Sequence, residues 1–404
     1  MDSSLGILKK GYTYFQEKFD EGNTDIYSTR LLFKKAIVLR GEEAAQLFYD
    51  RQKFKRKGAT PKRFQKTLFG VGGVQGLDGQ AHLHRKNLFM ECMKPESLAE
   101  INRLFEKHWL LALAQWQKSE ETELFWETEK ILAQASCEWT GIPLPPKDIA
   151  LRSSQLDAMI DASGAVGARH QKGRKARKQA ERWLSELIGK LRNKEMEVAP
   201  DSIFHNFATY RGPEGQLPDK HIIAVELLNL LRPIVAIARY IVFTAKALHD
   251  HPEYYNKLKN GPDELYLFFV QEVRRYCPFF PFVAAKVELP FDWKGFHFKK
   301  GCRVLLDLYA TNHDQRIWKD AGSFRPERFN DWNGSAYNFI PQGGGGHHEN
   351  HRCAGEWITI QLTQKALNLL INRMQYTVPP QDLSIRLNRI PAIPESKFKI
   401  RVQE

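Results

Sequence analysis

The chain has 404 residues, a formal net charge of +13 and 42% hydrophobic residues. This apolar content is sufficient for a large buried core, and five widely spread cysteines argue against a disulfide framework and for a reducing compartment. No apolar N-terminal stretch predicts a signal peptide, so a cytoplasmic location is expected. The positive charge alone would suit nucleic acid or an anionic surface, but no nucleic-acid motif accompanies it, so no nucleic-acid partner is expected.

The first quarter of the chain alternates strand, helix and glycine-rich patterns. Strand material is predicted over 27–41, and helices over 42–53 and 81–93. The segment 68–79 is rich in glycine and carries Phe69 and Gln75. So many glycines indicate a backbone that bends around another group, although an ordinary surface loop has the same composition.

Basic side chains share one face of the predicted helix over 81–93. His82 and Lys86 are four residues apart, which places them on the same side of a helix. That face would suit an anionic group such as a carboxylate. A basic face that only meets solvent has the same pattern, so both interpretations remain open.

Helical periodicity dominates the middle of the chain. Its apolar positions predict helices over 101–112, 123–139, 147–162, 175–191 and 221–248. No repeat or low-complexity linker divides them, so one domain, 1–404, is expected. The basic run 172–178 is predicted to be a solvated loop and helix start.

The stretch 221–248 is long and apolar enough to raise the question of a membrane span. Charged residues such as Glu226 and Arg239 make insertion costly, so a buried central helix and no transmembrane segment are predicted. Pro233 in its middle removes an N–H group and costs about 3 kcal/mol. Arg232 needs an anionic partner if it is buried. That partner can be a protein carboxylate or the carboxylate of a substrate.

The most informative stretch is 339–356, FIPQGGGGHHENHRCAGE, a glycine-rich loop that runs into a helix. Cys353 lies near the helix start, where the helix dipole favours a thiolate. A phosphate cradle is disfavoured because no Gly-Lys-Ser/Thr follows. Zinc bound by His347, His348, His351 and Cys353 is disfavoured because no paired Cys-x-x-Cys is present. A flexible loop with a structural cysteine is the remaining alternative.

The last third of the chain contains charged residues at helical spacing, a pattern that is common on solvated helices and carries little weight by itself. Glu272 and Arg275 lie three apart on a predicted helix, and the segment FRPERF brings Arg328. Alternation typical of strands is confined to 291–302, 303–309 and 376–402. The whole chain therefore predicts a mainly helical protein with small peripheral sheets.

Taken together, these motifs resemble the cytochrome P-450 haem-thiolate enzymes, and more narrowly their bacterial fatty-acid peroxygenase branch. The segments that carry the resemblance are TLFGVGGVQGLDG, NLLRPIVAI, FVQEVRRY and FIPQGGGG with HRCAGEW. The pair Arg232-Pro233 stands where ordinary family members carry an acid and an alcohol. The resemblance implies a mainly α cytochrome P-450 fold, with a long central helix over haem b.

The resemblance also implies a role for individual residues. Cys353 would ligate the haem iron as a thiolate, and Arg232, followed by Pro233, would hold the carboxylate of a long-chain fatty acid. That carboxylate would act as general base for hydrogen peroxide, so no reductase would be needed. The other implied residues are the haem-propionate partners His82, Lys86, Arg56 and His351, the acyl-channel residues Phe69, Ile160, Phe279, Phe280 and Phe282, and the structural residues Glu272, Arg275 and Arg328.

The residue at position 75, Gln75, affects which reaction product the resemblance implies. In the resembling branch, histidine at this position accompanies decarboxylation to a terminal alkene, whereas glutamine accompanies hydroxylation. Because glutamine cannot titrate, hydroxylation at the alpha and beta carbons is expected as the main outcome. Phe280 and Phe64 depart from a close hydroxylating relative, which has glycine and valine there, and both residues bear on chain-length preference.

Two other classes of function are compatible with a haem-binding loop. One is a monooxygenase fed electrons by a reductase, and the other is a non-catalytic haem sensor or carrier. The pair Arg232-Pro233 argues against the first, and a substrate-binding arginine beside the haem argues against the second.

Overall fold

The computed structural model describes residues 2–403, and it confirms a mainly helical fold with small sheets. The helices are α1 (Ser4–Lys10), α2 (Thr13–Glu21), α3 (Glu42–Phe48), α4 (Lys62–Phe64), α5 (Gly79–Met90), α6 (Pro95–Trp116), α7 (Leu124–Thr140), α8 (Ile149–Asp161), α9 (Ala168–Arg192), α10 (Ile203–Thr209), α11 (Lys220–Asp250), α12 (Glu253–Asn260), α13 (Glu264–Tyr276), α14 (Leu308–Asn312) and α15 (Glu356–Asn372). The strands are β1 (Ile26–Leu31), β2 (Lys34–Leu39), β3 (Phe54–Lys55), β4 (Thr122–Glu123), β5 (Phe282–Val287), β6 (Phe291–Trp293), β7 (Phe296–Phe298), β8 (Arg303–Asp307), β9 (Tyr376–Thr377) and β10 (Lys399–Val402).

The largest sheet joins three strands near the N-terminus to two strands from residues 282–307, in the order β1-β2-β8-β5-β3. Strands β2 and β8 are parallel, with Ala36 opposite Arg303 and Leu39 opposite Leu306, and the other neighbours are antiparallel. Both strands bury their apolar side chains, which is typical of the interior of a sheet. The sheet therefore holds the N-terminal segment beside β5 and the residues that precede it.

Helix α11 is the core of the protein, as predicted. Its 31 residues contact α7, α8, α9 and α15, and most of them are buried. The helix is long and apolar enough to cross a membrane, but 83% of its most apolar window is buried inside the protein. Asp219 caps its first turn by accepting the N–H of His221 at 2.7 Å. Pro233 lies inside the helix, directly after the buried Arg232.

Three predicted elements differ from the structure, each for a local reason. The predicted strand over 27–41 is a hairpin, because a two-residue turn at Leu32 and Phe33 separates β1 from β2. The predicted helix over 42–53 ends at Phe48. The basic run 172–178, predicted as a solvated loop and helix start, lies wholly inside α9, and its Arg177 is buried. A charge pattern identifies basic residues, but it does not show which of them faces the interior.

Candidate active site

Two hydrogen bonds join Cys353 to Gln342. The amide of Cys353 donates to the carbonyl of Gln342 at 3.1 Å, and its Sγ accepts from Nε2 of Gln342 at 3.7 Å. Gln342 is itself fixed by Nη2 of Arg274 at 2.9 Å. Helix α15 begins three residues after the cysteine, at Glu356. The thiol is therefore positioned by a loop that is braced from α13.

The glycines of this loop are required by protein contacts. A Cβ atom on Gly343, whose φ is +90°, would lie 2.9 Å from Oη of Tyr49. A Cβ atom on Gly344 would lie 2.6 Å from the carbonyl oxygen of Ala336. Close packing of the loop against other parts of the protein therefore requires glycine at these positions, whether or not a ligand also approaches the loop.

The helix start favours a thiolate at Cys353, but other surroundings of the free thiol act in the opposite direction. Burial, and then the charge of Glu356, raise the pKa of Cys353 above its ordinary value. The amide of Gly355 and the charges of Lys86 and Arg274 oppose this shift without overcoming it. A buried thiol of this kind becomes a thiolate when a metal cation replaces its proton.

The zinc alternative has no support in residues 2–403. No group of three or more His, Cys, Asp or Glu side chains in that range could hold a metal ion. His347 is already occupied, because its Nε2 lies 3.0 Å from Glu356 and its ring stacks on Trp357 at 4.1 Å. One cysteine without further protein ligands suits a metal whose other ligands come from a macrocycle, as in haem.

Arg232 is a buried charge without an ion-pair partner among residues 2–403. It is 5% exposed, its Nε has no hydrogen-bond partner, and no ion pair to it is formed by any residue from 2 to 403. Burial, and then the nearby charge of Arg177, lower its pKa to about 9, while the thiolate charge of Cys353 acts in the opposite direction. By contrast, Arg239 on the same helix lies 2.8 Å from Asp157. Of the two partners that the sequence left open for Arg232, a protein carboxylate is therefore not the one observed.

Gln75 is tied to the same helix by a chain of polar side chains. Its Oε1 accepts from Nδ2 of Asn229 at 3.1 Å, and that amide also donates to Glu226 at 3.2 Å. Glu226 in turn accepts from Arg85 at 2.7 Å. Sequence reasoning gave Asn229 and Glu226 no role, although residues 226, 229 and 232 repeat every three positions on an apolar helix and so share a face with Arg232.

Three of the four residues predicted to hold haem propionates meet at one cleft of about 580 Å³. The rings of His82 and His351 stack at 3.8 Å, and Arg56 lies over the ring of Phe48 at 4.3 Å. Burial lowers the pKa of His82 to about 4, and burial together with Arg56 lowers that of His351 well below its ordinary value. An anion placed here would favour the protonated imidazoles and raise these pKa values again.

Lys86, the fourth predicted propionate partner, is engaged differently. Its ammonium group donates to the backbone carbonyls of Asn350 and Arg352, the latter at 2.9 Å. Burial lowers its pKa to about 8, whereas the charge of Cys353 raises it. In this structure Lys86 therefore braces the cysteine loop.

The phenylalanines predicted for the acyl channel fall into two groups. Phe279 contacts the rings of Tyr240 and Phe280 at centroid distances of 5.3 and 4.5 Å. Phe282 lies 6.1 Å from Phe15, and the carbonyl of Phe279 accepts from the hydroxyl of Tyr12. The other two residues predicted for the channel are Phe69, which is half-buried, and Ile160, which is fully buried. Within residues 2–403, no contact between aromatic rings joins Phe69 to Phe279, Phe280 or Phe282.

The structural charges assemble around Glu272. Its carboxylate accepts from Arg275 through two hydrogen bonds of 2.7 Å and from Arg328 at 3.1 Å. A second network escaped the sequence analysis, in which Arg274 pairs with Glu356 at the start of α15. Burial alone would raise the pKa of Glu356, but Arg274 and its other partners lower it far below its ordinary value. This second network links α13 directly to the cysteine loop.

The assembled residues fit a haem group. The thiol of Cys353 can supply the axial ligand, and the basic cleft beside the cysteine loop suits the two propionates. The uncompensated guanidinium of Arg232 requires an anion that residues 2–403 do not provide.

Comparison with known proteins agrees with this site. The cytochrome P-450 family profile matches residues 267–402. Rabbit (Oryctolagus cuniculus) cytochrome P-450 1A2 is 31% identical over 131 residues, and the match spans 25% of that protein's length. The structure of cytochrome P450SP alpha (CYP152B1) in complex with (R)-ibuprophen is 42% identical, with a TM-score of 0.97 over 99% of this chain and 98% of that chain. Cytochrome P450EX alpha (CYP152N1) with myristic acid is 40% identical, with a TM-score of 0.95 over 99% of this chain and 96% of that chain.

A further structure, a variant of cytochrome P450 OleT in complex with arachidonic acid, is 35% identical, with a TM-score of 0.96 over 100% of this chain and 97% of that chain. The fold and the cysteine loop define a haem-thiolate enzyme, and the chain belongs to the cytochrome P-450 family. Within that family it falls among the CYP152 proteins, the fatty-acid peroxygenase branch. Its cofactor is haem with an axial cysteine thiolate.

Proposed function

We propose that this protein hydroxylates long-chain fatty acids at the alpha and beta carbons with hydrogen peroxide as oxidant. In this proposal Cys353 is the iron ligand. The protein works in the cytoplasm and needs no reductase. The observation that carries the proposal is the buried Arg232, which has no anionic partner among residues 2–403. A fatty-acid carboxylate supplies the missing charge. Support also comes from the related structures, two of which contain the fatty acids myristic and arachidonic acid.

Arg232 first binds the substrate. Its planar guanidinium can form two parallel hydrogen bonds to a carboxylate, and the low local dielectric strengthens this pair. Because Arg232 is buried in α11, the carboxylate that it binds is held inside the protein, where the charge of Cys353 also acts on the guanidinium. The acyl chain then extends away from the arginine, so the methylenes next to the carboxylate are the ones presented for reaction.

The bound carboxylate replaces a protein acid–base pair. Haem, when bound, supplies the oxidising centre, and its thiolate ligand favours cleavage of the O–O bond. The substrate carboxylate takes a proton from one oxygen of hydrogen peroxide and returns it to the other, which leaves as water. The remaining oxygen atom is inserted into a C–H bond, so one peroxide and one fatty acid give one hydroxy acid and one water. Pro233 leaves no hydroxyl at the next position to compete for this proton.

Gln75 favours hydroxylation over decarboxylation. Its Oε1 is occupied by Asn229, so the side chain is fixed with its NH₂ group free to donate. A glutamine neither takes up nor releases a proton near neutral pH, so it cannot assist the further oxidation that alkene formation requires. Alkene is therefore expected as a minor product.

The test is product analysis by mass spectrometry after the haem-loaded protein meets myristic acid and hydrogen peroxide with no reductase present. We expect 2- and 3-hydroxymyristic acid as main products. Gln75→His should increase the alkene fraction, whereas Gln65→His, in the turn that follows α4, serves as a matched control that should leave it unchanged. Mostly alkene from the native protein, or no turnover without a reductase, would contradict the proposal.

A further inference from the structure

The tip of the first hairpin exposes large apolar side chains in a strained backbone. Leu32 and Phe33 form the two-residue turn between β1 and β2, with φ values of 51° and 65°. Such a turn needs positive φ at both positions and is normally made by Asn-Gly, because bulky residues rarely adopt this conformation. Phe33 is nevertheless 89% exposed and Leu32 50% exposed. Neither folding nor the local conformation explains why these two residue types stand here.

Helix α1 adds two further apolar side chains on the same side of the protein. Leu5 is 70% exposed and Leu8 48% exposed, and their spacing of three residues places them on one helix face. The helix is attached to the hairpin tip, because the amide of Phe33 donates to Asp2 at 2.6 Å and the amide of Leu32 donates to Ser4 at 2.8 Å. We call these four residues the N-terminal apolar patch: Leu5, Leu8, Leu32 and Phe33.

Cations surround the N-terminal apolar patch. Five exposed basic residues adjoin it in the sequence and structure: Lys9, Lys10, Arg30, Lys34 and Lys35. Only Lys10 forms an ion pair within residues 2–403, with Glu17. The carboxylate of Asp2 accepts from the amides of Ser4 and Phe33 and keeps its negative charge, which offsets only one of these five cations. A second copy of the chain placed on this patch would bring like charges together, whereas an anionic lipid surface would be attracted.

We propose that the N-terminal apolar patch docks the protein on anionic lipid bilayers. The apolar side chains enter the boundary between headgroups and acyl chains, and the basic rim contacts the lipid phosphates. Burial of Phe33 in lipid also accounts for the exposed aromatic ring at a strained turn. The protein binds as a peripheral protein through this patch, while α11 remains inside the core.

Two chain neighbours of the patch residues pack into the interior. Ile7 and Leu31 pack in the same apolar cluster as Phe15, and Phe15 contacts the ring of Phe282. Phe282 is a candidate residue of the acyl channel, so the docking face adjoins the wall of that channel. Delivery of fatty acids from the bilayer through this face rests on the proposed function, whereas lipid binding itself does not.

The experiment is co-sedimentation of the full-length, haem-loaded protein with vesicles. Binding is compared between vesicles of phosphatidylcholine alone and vesicles of equal phosphatidylcholine and phosphatidylglycerol. We expect binding to the anionic vesicles only, decreasing as the salt concentration rises from about 0.1 to 0.5 M because salt screens the basic rim. Leu32→Asn combined with Phe33→Gly should lower the partition coefficient at least about tenfold through lost apolar burial.

The turn variant also controls for misfolding, because Asn-Gly suits the positive φ values and should preserve or raise the melting temperature. Leu111→Ser removes an apolar residue of similar exposure, 61%, from α6, and should leave lipid binding unchanged. Absence of binding to the anionic vesicles, or an equal loss in Leu111→Ser, would overturn the proposal. So would light scattering that shows a dimer which the turn variant converts to a monomer, since the patch would then be a surface between two copies.

Discussion

Replacement of Arg232 by leucine should make the protein more stable and at the same time unable to bind its substrate. Burial lowers the pKa of Arg232 from 12.5 to about 9. This difference corresponds to roughly 5 kcal/mol of unfavourable free energy for keeping the guanidinium charged at neutral pH. Since the folded-state pKa is the lower one, the cost is fully present below pH 9 and is lost only as the pH rises above it. Leucine removes the charge but fills less space, so we expect a net gain of about 2 kcal/mol.

Arg239 provides the matched control. It lies on the same helix and is equally buried, but it is paired with Asp157 at 2.8 Å. Arg239→Leu would leave that carboxylate buried without its cation, which should cost about 3–5 kcal/mol. The two substitutions are chemically identical, so opposite effects on stability would follow from the presence or absence of a protein partner.

The assay is thermal unfolding of the haem-loaded proteins with and without myristic acid. Ligand at about 100 times its dissociation constant should stabilise the native protein by about 2.7 kcal/mol. This stabilisation should disappear in Arg232→Leu and persist in an Arg239→Leu protein that remains folded. If Arg232→Leu destabilises the protein as much as Arg239→Leu, or if myristic acid stabilises it as much as the native protein, the assignment of Arg232 as an unpaired carboxylate site is refuted.

Three further predictions concern the cofactor, pH and the charge network. Cys353→Ser should abolish the red-shifted band of the reduced carbon monoxide complex that a thiolate ligand produces, and survival of that band would exclude Cys353 as the ligand. Burial raises the pKa of Asp307 from 3.8 to about 7, so the folded protein binds the proton more tightly and should lose about 4 kcal/mol as the pH rises from 4 to 8. Asp307→Asn should remove this part of the pH dependence and raise the melting temperature more at pH 8 than at pH 5. An equal change in melting temperature at the two pH values would contradict this prediction. Glu272→Gln leaves Arg275 and Arg328 buried without a carboxylate and should cost about 3–5 kcal/mol in denaturant unfolding, so a loss below about 1 kcal/mol would show that the network contributes little.

The local patterns of the sequence were enough to predict the main elements and two central residues. The 3.6-residue apolar period predicted the core helix, and the glycine loop before a helix singled out Cys353 among five cysteines. The arginine beside a proline in that helix identified Arg232 as a residue that needs an anion. These features are local, since each depends on residues within a few turns of one another, and a single sequence displays them directly.

The partners of these residues were decided only by tertiary contacts. Gln75 and Asn229 are 154 positions apart, and Arg274 and Glu356 are 82 apart, so no periodicity connects them. The lack of a carboxylate partner for Arg232 among residues 2–403 is likewise visible only in the folded chain. It also shows that burial raises the pKa of Cys353 despite the nearby helix start. Burial and electrostatic environment depend on contacts with distant segments. For that reason the sequence singled out candidate residues, whereas the fold determined the electrostatic environment of each and what it contacts.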